Sequence, residues 1–105
     1  MAQTKGYFAL TLHSHLPWVI GHGVWPHGMD WLNEAAAETY VPLLNVFNEL
    51  LEEGITPKIT IGITPVLAEQ LASPVFRNDF PNYLQDKVDA AAADKIEFEK
   101  DRKSC

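Results

Sequence analysis

All four histidines and all three tryptophans of this sequence fall between His13 and Trp31. They run His13, Ser14, His15, Leu16, Pro17, Trp18, then His22, Trp25, Pro26 and His27, closing on Trp31. Imidazole supplies hydrogen bonds and protons near neutral pH, and indole adds a broad apolar face with one N–H donor. Concentrated in one short stretch after an apparent strand, such side chains point to a small-molecule site. Within residues 1–29 the only formally charged side chain, histidines aside, is Lys5. A site built there suits a neutral, hydroxyl-rich ligand better than a phosphate or a polyanion.

His13 and His15 are two apart. If the strand continues that far, both rings project to one side. They would then stand at the C-terminal end of a strand, where α/β barrels place their active sites. Such a pair can contact a ligand, ligate a metal, or be satisfied within the core. A metal needs a third ligand, and the only nearby acids are Asp30, Glu34 and Glu38, the last two a helical turn apart, so no metal site is expected. Trp25, among glycines and followed by Pro26, is a platform for a sugar ring or another flat apolar face; Trp18 is an intermediate case. Trp31, beginning a helix, reads as a packing anchor, and His22 and His27 as solvated or supporting loop residues. Acids at helical spacing, such as Glu97 and Asp101, read as solvated faces. There is no glycine-rich phosphate loop, nucleophile elbow or catalytic cysteine setting, and Cys105 reads as incidental.

The elements that must position these residues follow from periodicity and punctuation. Gly6 to His13 alternates like a strand, with Phe8, Leu10 and Leu12 on one face and Tyr7, Ala9, Thr11 and His13 on the other. Residues 14–29 hold prolines and glycines too densely for a helix and read as a long, functional loop. Asp30 is the expected N-cap of a helix running to Glu53, with Leu43, Val46, Phe47, Leu50 and Leu51 as its core stripe. Pro42 cannot donate to the Glu38 carbonyl, so a kink or break is expected there, and Gly54 is the stop. Lys58 to Thr64 is the second strand, with Ile59, Ile61 and Ile63 opposite Thr60, Gly62 and Thr64. Thr64 caps a short helix from Pro65 to about Ala72. Ser73–Pro74 and Pro81 mark a turn, and a last helix is expected from about Asn82 to Lys100.

Strands joined through a helix pair in parallel by default. Both strands carry bulky residues on one face and small or hydroxyl residues on the other, as barrel strands do between outer helices and a lumen. Two parallel strands cannot bury both faces alone. The expected fold class is therefore α/β, the opening portion of a larger barrel of parallel strands.

The bulk numbers agree with one small folded domain or part of a larger one. The chain has 105 residues, 47% hydrophobic, too apolar for a disordered tail. Its net charge is −6 with no basic cluster, which removes the footprint of nucleic-acid binding. A single cysteine rules out an intrachain disulfide and fits a reducing compartment. No run approaches the ~20 apolar residues of a membrane span. A soluble, cytoplasmic protein is expected; its oligomeric state is not legible.

Four blocks carry a resemblance: His13-Ser14-His15-Leu16-Pro17-Trp18; Gly23-Val24-Trp25-Pro26; Ala37-Glu38-Thr39-Tyr40-Val41-Pro42-Leu43-Leu44; and Ile61-Gly62-Ile63-Thr64-Pro65-Val66-Leu67-Ala68-Glu69-Gln70-Leu71. In one register over about residues 6–72, they resemble the N-terminus of glycoside hydrolase family 57, and within it the 1,4-α-glucan branching enzymes. The resemblance implies an incomplete seven-stranded (β/α) barrel, of which residues 1–105 are the N-terminal segment. It implies a retaining enzyme without cofactor that cleaves α-1,4 linkages in an amylose-, glycogen- or starch-like polymer and transfers the glucan to a 6-hydroxyl. By the same resemblance His13 and His15 line the subsite of the scissile sugar, with Trp25 and Trp18 as aromatic contacts. Retaining chemistry needs two carboxyl groups about 5–5.5 Å apart. In the family these lie on later strands, so no catalytic residue is expected here, and the chain alone is expected to be inactive. A family 57 amylase or 4-α-glucanotransferase, a metal-dependent polysaccharide deacetylase-like barrel and a non-catalytic glucan-binding remnant are the alternative readings.

Overall fold

The computed structural model describes residues 3–104; Cys105 lies outside them. Two short strands, β1 (Thr11–Ser14) and β2 (Thr60–Ile63), pair in parallel, with Thr11 opposite Thr60, His13 opposite Gly62 and Ser14 opposite Ile63. Hydrogen bonds from the Thr60 N–H to the Leu10 carbonyl and from the Thr64 N–H to the Ser14 carbonyl extend the ladder at its two ends. Both strands are shorter than their alternation predicts. Residues 3–10 fall outside both strands, and the bulky face expected to meet outer helices, Phe8 included, is exposed.

The crossover begins at α1 (Met29–Ala35). Asp30 is not its cap: Gly28 takes that place and Asp30 falls in the first turn. The first helical N–H groups, of Met29 and Asp30, are satisfied instead by the carbonyls of Gly23 and Val24, each at 3.0 Å. Gly28 must come close for this, since a Cβ there would lie 2.2 Å from the Gly23 oxygen. From α1 the helix passes through one π turn (Ala36–Tyr40) into α2 (Val41–Glu52). Pro42 therefore neither breaks nor ends the helix. The wider turn bonds the Val41 N–H to the Ala36 carbonyl, and Pro42 lands in the first turn of α2, where a missing donor costs least. α2 closes at Gly54 (φ 79°), where the Ile55 N–H bonds the Leu50 carbonyl and the Gly54 N–H bonds that of Leu51. This is the Schellman arrangement.

α3 (Pro65–Ala72) starts where Thr64 predicts, its hydroxyl accepting from the Leu67 N–H. The expected turn is confined to Ser73, an extended residue between α3 and the next helix, and does not reach Pro81. Ser73 caps α4 (Pro74–Lys103), a single 30-residue helix that carries Pro81 inside it. Phe76, Phe80 and Tyr83 form a ladder of rings across that proline, with centroids 5.2 and 6.5 Å apart, and this packing holds the helix together where a hydrogen bond is lost.

The core is small and sits where the loop meets the helices. Leu16, Val19, Met29, Leu32, Ala36, Leu67 and Phe76 are buried. The stripe expected on α2 is not part of it: Leu43, Phe47 and Leu50 are half-buried, Val46 and Leu51 exposed. The radius of gyration is 19.3 Å, against about 13 Å for a compact domain of this length. Among the described residues no helix is long and apolar enough to cross a membrane.

Candidate functional site

The end of β1 brings two of the predicted site residues together. His13 and His15 stand on the same side, their rings nearly parallel (23°) with centroids 6.4 Å apart, and both are exposed. Strand periodicity does this directly, since alternate side chains share a face. Across the sheet, Gly62 faces the His13 ring, and a Cβ there would meet Nδ1 at 3.5 Å, an ordinary van der Waals contact. His15 Nδ1 shares a hydrogen bond of 3.1 Å with Thr64 Oγ1 on the far strand end. His13 also borders a cleft of about 400 Å³ between the sheet and α2, walled by Leu12, Tyr40, Leu43, Phe47 and Ile61.

The loop after the pair is pinned from behind by Gln70, which is fully buried. Its Oε1 accepts from the Val19 N–H at 2.8 Å, and its Nε2 donates to the Pro17 carbonyl at 2.9 Å and to the Val66 carbonyl at 3.2 Å. With Leu16 and Val19 in the core, the loop between His15 and Ile20 is held by two buried side chains and by the backbone of Pro17 and Val19. Trp18 stays half exposed, at 50%.

Trp25 is not in the histidine cleft. At 74% exposed, it borders a separate hollow of about 530 Å³ with Asp30, Glu34, Glu38, Tyr83 and Lys87. The hollow is acidic: burial, then the carboxylates of Glu34, Asp30 and Glu38, push the Tyr83 phenol above its ordinary 10.0. Lys87 Nζ lies 5.2 Å from the centre of the Tyr83 ring. Trp31, the expected packing anchor, is 37% exposed and lies against His27 at 5.6 Å, while His22 is solvent-facing. Among the described residues no three His, Cys, Asp or Glu side chains form a group that could hold a metal ion.

Four contributors escaped the sequence. Thr64 was visible as a cap but not as the partner of His15, because that contact needs the register of two strands 49 residues apart. Gln70 had a signal: a polar residue on the same helix face as Leu67 and Leu71, hence one that must find partners when buried. Tyr83 and Lys87 were hidden by the expected break at Pro81.

No family model matches the chain. It is 44% identical over 90 residues to the 1,4-α-glucan branching enzyme of Thermococcus kodakarensis, a match covering 86% of this chain and 13% of that protein. A probable 1,4-α-glucan branching enzyme of Mycobacterium tuberculosis is 39% identical over 100 residues, 94% of this chain and 19% of its own. The fold matches the crystal structure of a GH57-type branching enzyme from Pyrococcus horikoshii with a TM-score of 0.83 and 43% identity, over 87% of this chain and 17% of that one. Over nearly its whole length, this chain is homologous to a segment of the GH57-type 1,4-α-glucan branching enzymes, and it spans less than a fifth of them.

Proposed function

We propose that the chain is the opening segment of a (β/α)7-type catalytic barrel of a cytoplasmic 1,4-α-glucan branching enzyme, acting on a glycogen- or starch-like polymer. His13 and His15 contact hydroxyls of the bound glucan at the strand end, and Trp18 and Trp25 offer it apolar faces. The retaining pair of carboxyl groups comes from outside these 105 residues, so the segment shapes the site and does not perform the bond exchange. No cofactor is invoked.

The observation that carries this reading is the TM-score of 0.83 at 43% identity with a branching enzyme of the GH57 type. The exposed, parallel histidine pair supports it, because imidazoles offer both donor and acceptor to sugar hydroxyls. The half-covered sheet and open α2 face support the larger barrel, since a parallel sheet is ordinarily buried on both sides.

A chimera tests it. This chain replaces the matching segment of the Pyrococcus horikoshii enzyme, and branching of amylose is followed by loss of iodine colour. Retained branching that falls at least about tenfold on His13→Ala or His15→Ala is expected, on the scale of one positioned hydrogen bond in a transition state. A folded chimera that branches equally well without either imidazole would overturn the assignment.

A further inference from the structure

The contact between His15 and Thr64 joins the ends of the two strands. Thr64 Oγ1 already accepts from the Leu67 N–H at 3.4 Å as the cap of α3. A hydroxyl carries one proton of its own. Its one other hydrogen-bond partner among the described residues is His15 Nδ1, at 3.1 Å. With two lone pairs the oxygen could accept from both neighbours, but only donation to His15 gives its proton a partner among the described residues. In a neutral imidazole one nitrogen accepts and the other donates, and the partner of the first decides the proton on the second. His15 Nε2 has no partner among the described residues, and the side chain is exposed.

We propose that Thr64 is a positioning residue for His15: its hydroxyl donates to Nδ1 and holds the neutral ring as the Nε2–H tautomer, leaving Nε2–H as the donor offered to a glucan oxygen. This rests on the reading of His15 as a glucan contact. The N-cap threonine of α3 then has two tasks, starting a helix and setting a proton on the opposite strand. An uncapped ring would sample both tautomers and offer an acceptor part of the time.

The test is long-range ¹H–¹⁵N correlation of the imidazoles in the full 105-residue chain. It is run at pH about 9, above the ordinary imidazole range. Wild type is expected to show an unprotonated Nδ1 and a protonated Nε2 at His15, and Thr64→Ser to keep that pattern. Thr64→Asp retains the cap but, when ionised, can only accept. It is expected to invert His15 to the Nδ1–H form while His13 is unchanged. An Nδ1–H tautomer in wild type, averaged tautomers there, or no inversion in Thr64→Asp overturns the proposal. Maltooligosaccharide titration of the same variants separates it from the reading beneath: inversion is expected to weaken binding about fivefold, the value of one neutral hydrogen bond. Inversion with unchanged binding upholds the control of the tautomer by Thr64, but overturns the offer of Nε2–H to glucan and, with it, the glucan role of His15.

Discussion

Gln70 and Val19, 51 residues apart, meet through a 2.8 Å hydrogen bond from the Val19 N–H to the buried Gln70 side-chain oxygen. The same amide closes on the Pro17 carbonyl, so one side chain of α3 fixes the loop that leaves the histidine pair. Replacing Gln70 by leucine keeps the volume and strands a buried donor and acceptor. The expected loss is about 2–4 kcal/mol, from the cost of unsatisfied buried groups. Urea unfolding measures it. A change below about 0.5 kcal/mol, the ordinary surface range, would mean that water replaces the clamp.

Gly28→Ala is expected to be costly for a different reason. Its Cβ would sit 2.2 Å from the Gly23 oxygen, which belongs to backbone and cannot swing aside. Relief requires lifting the 23–24 turn off the start of α1 and releasing two helix-terminal hydrogen bonds. A loss of about 2 kcal/mol or more is expected, as for overpacking of a tight site. Gly6→Ala, where a Cβ meets nothing within 4 Å, is the control. Equal unfolding midpoints for the two variants would show that the turn gives way freely.

Other positions show what the sequence can and cannot express. The cap at Thr64 and the stop at Gly54 are legible because each is settled within a few residues, by a hydroxyl reaching the Leu67 N–H and by a backbone that favours glycine at φ 79°. The parallel pairing of β1 with β2 is legible from the intervening helix. The start of α1 is not, because a loop folding back six residues brings the carbonyls of Gly23 and Val24 to the first helical N–H groups, displacing Asp30, by residue type the better cap. Pro81 misleads for another reason: the rings of Phe76, Phe80 and Tyr83 that meet across it stand at ordinary helical spacing, and spacing alone does not say that a helix tolerates the lost hydrogen bond. For the site, His13 and His15 follow from period two, whereas the separation of Trp25 into an acidic hollow depends on where α4 passes.

That hollow has a pH signature. The Tyr83 phenol is raised by burial and then by Glu34, Asp30 and Glu38. An acid that holds its proton more tightly when folded contributes stability that is complete below the unfolded value, about 10, and is lost as pH rises through the folded one. Stability is therefore expected to fall above about pH 10 more steeply in wild type than in Tyr83→Phe. Ultraviolet titration should show a late-ionising phenol that this substitution removes and Glu34→Gln moves back toward its ordinary value. A titration identical in wild type and Glu34→Gln would dismiss the carboxylate contribution.

Binding without turnover is the behaviour expected of the isolated chain. It spans 13–19% of its branching-enzyme relatives, and the proposed function takes the carboxyl pair of retaining chemistry from outside it. Incubation with amylose should therefore create no α-1,6 linkages, and measurable branching would refute the division of labour between this segment and the rest of a barrel. The three tryptophans allow binding to be read separately. Iodide should quench Trp25 most, Trp18 less and Trp31 least, following exposures of 74, 50 and 37%. A maltooligosaccharide seated on the Trp25 face should protect that indole and leave Trp31 unaltered, and Trp25→Ala should remove most of the response. The stacking lost is worth about 0.5–1.5 kcal/mol beyond buried area, so affinity should fall roughly 2- to 12-fold. Protection of Trp31 with Trp25 unchanged would place the sugar on the His27 side of the loop and end the assignment of Trp25 as the platform.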